Sequence, residues 1–171
     1  RGPANGIVPA NTYLVSIDGD TGSEGTLDNI FNLGGLSFGN NGFMVLRQNA
    51  SPYAIDPNAS VYTMSGTSPT ASWSSAFSIG GDLENGSMTM LLIQSVAAPT
   101  FSDDIDSANN GIPNAPYTSW NILDGIAVID GSNERAYAPI NYIEQGFTST
   151  VSTGILVDAS AVAGEIEYFA R

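Results

Sequence analysis

The residues of this chain best equipped for chemistry are carboxylates, and they cluster. Asp103, Asp104 and Asp106 fall in the run 102–111, which closes on Asn109-Asn110-Gly111. Calcium takes about six to eight oxygen ligands and accepts backbone carbonyls, so an acidic loop that turns tightly suits it. Asp104 and Asp106 match the first and third positions of an Asp-x-Asp-x-Asp-Gly loop. The fifth position is Ala108, and the twelfth, where a bidentate Glu belongs, is Ala115. The expectation is a Ca²⁺ site with Asp103, Asp104, Asp106 and Asn110 as ligands; the competing reading is a solvated acidic turn. A second candidate cation site is Asp18, Asp20 and Glu24, with Asp28 following. Its competing reading is a turn in which Asp and Gly supply local hydrogen bonds and backbone conformations. Paired carboxylates also run glycoside hydrolysis. Nothing in the sequence selects a pair from the 17 acidic residues. Trp73, Trp120, Tyr117 and Tyr137 suit the walls of a cleft as well as they suit a core.

The rest of the alphabet is poor in catalytic groups. The 171 residues include no Lys, His or Cys, and the four basic residues are Arg1, Arg47, Arg135 and Arg171. Disulfides, thiolate nucleophiles, imidazole ligands and a Ser-His-Asp triad are therefore excluded. With a net charge of −13, nucleic acid is not an expected partner, because phosphate binding needs Lys and Arg. No apolar run approaches the ~18 residues that span a bilayer. No signal peptide is visible, and a chain that opens on Arg1 is compatible with one already removed. Asn49, Asn58 and Asn85 each open an Asn-x-Ser sequon, the acceptor pattern for N-glycosylation. Such Asn residues are also ordinary turn formers. Hydrophobic residues make up 42 %, enough to expect a folded chain rather than a disordered one.

These residues need a scaffold, and the spacing predicts β-strands. Gly, Pro, Asn and Asp recur every 8 to 15 residues, with short β-branched and aromatic runs between them. That pattern reads as an all-β, β-sandwich or jelly-roll-like fold. Strands are expected over 12–18, 42–48, 60–64, 87–95, 122–129, 137–143, 149–157 and 165–170. Met88-Thr89-Met90-Leu91-Leu92-Ile93 is nearly continuous in apolar character, as a central strand buried on both faces should be. In the run 122–129 the interruption Asp124-Gly125 points to a bulge or a close backbone approach. Short helical turns are expected at 26–34, where Thr26 can cap and Gly34 can terminate, and at 72–78. The Ser/Thr-rich stretch 63–75 reads as a surface loop. One domain is expected over 1–171, with 1–11 as an extended N-terminal arm.

The order of the quoted runs carries a resemblance. Pro9-Ala10-Asn11-Thr12-Tyr13-Leu14-Val15-Ser16-Ile17-Asp18-Gly19-Asp20 precedes Gly39-Asn40-Asn41-Gly42-Phe43-Met44-Val45-Leu46. Asn85-Gly86-Ser87-Met88-Thr89-Met90, the acidic loop 103–111 and Trp120-Asn121-Ile122-Leu123-Asp124-Gly125-Ile126-Ala127-Val128 follow. This order resembles secreted bacterial surface proteins of cyanobacterial and planctomycete type, distantly similar to lamin-tail-like β-sandwich domains. The resemblance spans roughly residues 9–142 and again a stretch near the end, and implies an extracellular, cell-surface location. It also implies that the chain continues past both ends, or that a neighbouring copy supplies its edge strand. The expected function is a non-enzymatic, glycosylated structural subunit of a filament, sheath or surface layer, self-assembling through sheet edges. The alternatives are a calcium-stabilised carbohydrate-binding or adhesin module and, third, a glycoside hydrolase-like enzyme.

Overall fold

The computed structural model describes residues 1–47, 53–65, 72–73, 77–79, 86–101 and 103–158. The described chain is all-β. Its strands are β1 (Thr12–Asp18), β2 (Leu27–Asn32), β3 (Met44–Arg47), β4 (Ser60–Ser65) and β5 (Ser72–Trp73). They continue with β6 (Phe77–Ile79), β7 (Met88–Gln94), β8 (Asn121–Ile129), β9 (Ile140–Ile143) and β10 (Ile155–Asp158). A single 3₁₀ turn, Tyr117–Ser119, is the one helical element among the described residues. Seven strands form a sheet in the order β10-β9-β8-β7-β1-β2-β6, and three form a smaller one in the order β3-β4-β5.

Alternation along β1 and β7 explains why the large sheet is apolar on both faces. Successive side chains of a strand point to opposite sides. Tyr13 pairs with Ile93 and Val15 with Leu91 on one side; Leu14 pairs with Leu92 and with Phe31 on the other. The first face carries the main core, completed by Ile105, Trp120 and Tyr137 from the long connections flanking β8. The second carries a smaller core in which Val8, Phe31 and Leu33 meet Leu14, Met44, Leu46, Met90 and Leu92. The continuous apolar character of Met88–Ile93 has this cause: β7 sits between β1 and β8 and contributes to both cores. The Asp-Gly interruption in β8 is a bulge. Leu92 pairs with Asp124 and Ile93 with Ile122, so Leu123 is the extra residue. Gly125 lies opposite Leu91, where a Cβ would come within 2.4 Å of the Leu91 Cδ2.

The expected helical turn at 26–34 is instead strand β2, paired to β1 from Asn32 back to Leu27. The reason is burial: Ile30 belongs to the main core and Phe31 to the smaller one. A strand sends adjacent residues to opposite faces and a helix does not. In the stretch 72–78 the described residues are likewise strand, in β5 and β6. A jelly roll is built of antiparallel strands, whereas here β8, β9 and β10 pair in parallel. Ile126, Ile140 and Ile155 stack in register, fourteen and fifteen residues apart. β3 and β4 are parallel too, with Val45 against Val61. The chain thus coils back on itself in a solenoid-like way at both places. Asn141, fully buried, supports the coil: its amide donates to the carbonyls of Ala138, Thr153 and Ile155 at 2.8, 3.0 and 3.2 Å, and its oxygen accepts from Ala138 N at 3.0 Å.

The segment 1–11 is docked on its own chain. Gly2, Asn5 and Val8 donate backbone hydrogen bonds to Gly42, Gly39 and Leu36, and Ile7 bridges Ser37. The expected strand 165–170, most of the loop 63–75, and the sequon residues Asn49 and Asn85 lie outside the described residues.

Candidate metal centre

At one end of the large sheet three chain segments are laced together by a glycine. Gly19, just after β1, donates to Ser87 O at 2.7 Å and accepts from Arg135 N at 2.9 Å. A Cβ at Gly19 would lie 2.2 Å from Arg135 O and 2.8 Å from Ser87 O, so no other residue admits this approach. The lacing brings the residue after Gly19, the residue after β8 and the loop beyond it into one spot. One carboxylate oxygen from each of Asp20, Asp130 and Glu134 lies within 4.8 Å of the others, and all three side chains are half-buried.

Ser87 sits at the centre of this trio and is fully buried. Its backbone N–H donates to Asp20 Oδ1 at 2.8 Å, and its hydroxyl faces Asp130 Oδ1 at 3.2 Å and Glu134 Oε2. The hydroxyl oxygen accepts from Asp130 N at 2.8 Å. A hydroxyl has one proton, so Ser87 satisfies one of these two carboxylates at a time. Partial burial raises the Asp20 carboxyl above its ordinary value, and the charges of Asp18 and Asp130 add to that against the Ser87 hydrogen bond. Glu134 is raised by the same combination, with burial first and then repulsion from Asp20 and Asp130 opposing the hydrogen bond from Ser87. The cluster therefore concentrates mutually repelling negative charge. Its hard oxygens suit a divalent cation such as Ca²⁺ or Mg²⁺, and without one Asp20 and Glu134 hold their protons more tightly than free carboxylates do.

Only Asp20 of the sequence-derived candidates belongs to this cluster. In the acidic loop 102–111 the side chains are occupied by the fold. Asp106, fully buried, accepts from Asn110 N at 3.1 Å with one oxygen. Its other oxygen accepts from Gly111 N at 2.6 Å and from the Tyr137 hydroxyl at 2.9 Å. Asp104 accepts from Asp106 N, Asp103 from Thr100 N, and Asn110 from Ile112 N. The loop backbone docks on the 25–27 turn through Ile105 N to Gly25 O, 2.8 Å. Asp18 and Glu24 are buried and accept from Asp20 N and Gly22 N, at 2.6 and 2.7 Å. These carboxylates shape turns. Asp130 and Glu134 are four residues apart in a run that reads as a turn, but Ser87 and Asp20 lie far from them in sequence, and no spacing rule joins the three segments.

Of the aromatic residues considered for a cleft, Trp120 and Tyr137 are buried in the main core and Tyr117 packs against it. The Tyr117 ring is tilted 45° to Trp120 at 5.9 Å. Among the sequons, Asn58 is exposed and its backbone and side-chain nitrogens donate to Asp56 Oδ1 at 2.8 and 3.1 Å. No helix among the described residues is long and apolar enough to cross a membrane. No protein-family model, curated protein or solved structure matches this chain.

Proposed function

We propose that this chain is a structural module of an extracellular assembly, stabilised by a divalent cation held by Asp20, Asp130 and Glu134. The observation that carries this reading is the convergence of three carboxylates on one buried serine. A cation there would tie the end of β1, the start of β7 and the β8–β9 connection into one rigid corner. Copies would meet through sheet edges, a role supported by β10: among the described residues it ends the order of the large sheet, and its Ile155 and Leu156 are 60 % and 40 % exposed. Such an apolar edge is a template for pairing with another chain. Asn58, exposed in an Asn-x-Ser sequon, would be the acceptor for a glycan once its amide leaves Asp56.

The test is calorimetry with calcium, magnesium and chelator, paired with sedimentation at each condition. Ligand at ~100 times its dissociation constant adds about 2.7 kcal/mol, which for a chain of this size raises Tm by about 5–10 °C. Asp130→Asn should abolish that rise. A melting temperature indifferent to calcium and magnesium refutes the cation site. Leu156→Lys should disperse any assembly without lowering Tm; assembly that survives it refutes the edge.

A further inference from the structure

Between the second face of the large sheet and the small sheet lies a cavity of about 540 Å³ that the smaller core leaves unfilled. Leu14, Met90 and Leu92 form its floor, from β1 and β7; Met44 and Leu46 form the opposing wall, from β3. Its size falls in the ~300–1,000 Å³ range of sites for small organic ligands. The walls are aliphatic and thioether side chains, and methionines on both sides can repack around an irregular guest.

The wall includes one arginine, and the fold seats it there. Gly2 N donates to Gly42 O at 2.9 Å. Gly42 has φ +78°, and a Cβ on it would stand 2.4 Å from Gly2 O. That pairing holds Arg1 at the cavity, with its guanidinium 5.3 Å from the Phe43 ring centroid. Among the described residues the guanidinium makes no ion pair. Asp124 also lines the cavity and accepts from Gly125 N at 2.8 Å; its carboxylate excludes an anionic head from that part of the wall and leaves Arg1 as the place for one. In a chain of net charge −13 with four arginines, a guanidinium that has an aromatic face but no ion pair among the described residues, beside an aliphatic cavity, is complementary to one kind of guest.

We infer that this cavity binds a linear aliphatic amphiphile with an anionic head, its tail between Met44 and Met90 and its head on Arg1. The inference is independent of the cation site. Titration calorimetry with dodecanoate and with dodecanol, below micelle formation, tests it. Dodecanoate should bind one to one and at least tenfold more tightly than dodecanol. Arg1→Gln should bring the two to equal affinity, and Met44→Trp, which fills the cavity, should abolish both while the melting temperature holds. Equal binding of acid and alcohol by the unaltered protein overturns the anionic head. Absent binding, or binding undiminished by Met44→Trp, overturns the site. So does a dimer that Met44→Trp disperses in a protein that takes up neither compound, since the cavity would then receive a second copy.

Discussion

A carboxylate's role in this protein depends on what its oxygens already accept. Asp106 has two backbone N–H groups and a phenol on it; Asp130 shares a single hydroxyl with Glu134. Substituting each separates the two roles. Asp106→Ala leaves Gly111 N and the Tyr137 hydroxyl without their acceptor in a buried place, and removes a third bond from the more exposed Asn110 N. An unsatisfied buried polar group costs about 1–3 kcal/mol, so a loss of about 3 kcal/mol or more is expected in urea denaturation. Asp106→Asn keeps one acceptor oxygen and should cost less, with calcium affinity unchanged. If Asp106→Asn removes calcium binding from a folded protein, the acidic loop is the cation site after all. Asp130→Asn should behave the opposite way, abolishing calcium binding. In chelator it should leave stability equal or slightly improved, because it removes one of three repelling charges.

Among the elements, the parallel coils are the part least visible in sequence and the most dependent on one side chain. Asn141→Ala removes three donated hydrogen bonds and one accepted one at a fully buried position. A loss of about 2–4 kcal/mol is expected, again on the scale of about 1–3 kcal/mol per orphaned group. Hydrogen exchange should show the β9 and β10 amides exposed before those of β1 and β7; uniform loss across the sheet would mean that Asn141 does not hold the coil specifically. The β-branched and aromatic run of β1 and the nearly continuous apolar run of β7, each bounded by turn residues, make those strands legible at nearly their observed bounds, since composition and turn signals are local properties. The break at Asp124-Gly125 was legible too, as the bulge it is. The β2 segment is ambiguous in sequence because Leu27, Ile30 and Phe31 fit a helical stripe equally well; only the presence of cores on both sides of the sheet decides between them. Parallel register between Ile126, Ile140 and Ile155 depends on tertiary pairing, which no local pattern records. The carboxylate trio is illegible for the same reason, Asp20 being brought to Asp130 and Glu134 by the backbone lacing at Gly19.

For the whole molecule, a net charge of −13 makes stability a question of what counters the carboxylates. Self-repulsion of this kind disfavours the compact state. Asp20 and Glu134 are both raised above their ordinary values of 3.8 and 4.5. A carboxylate raised in the folded state binds its proton more tightly there than when unfolded. Its contribution is fully present below the unfolded value and is lost as pH rises through the folded one. In chelator, then, acidification from neutral toward the ordinary carboxylate range should make these two groups stabilise the protein. Asp20→Asn with Glu134→Gln should flatten that part of the profile. With calcium saturating, the sign reverses: the cation needs ionised ligands, so protons compete with it and the calcium-dependent gain in Tm should shrink as pH falls. The two profiles, with and without calcium, should converge at the acid end and diverge toward neutral pH. Parallel profiles would mean that cation and proton do not compete for one site, and the cluster of Asp20, Asp130 and Glu134 would lose its assignment.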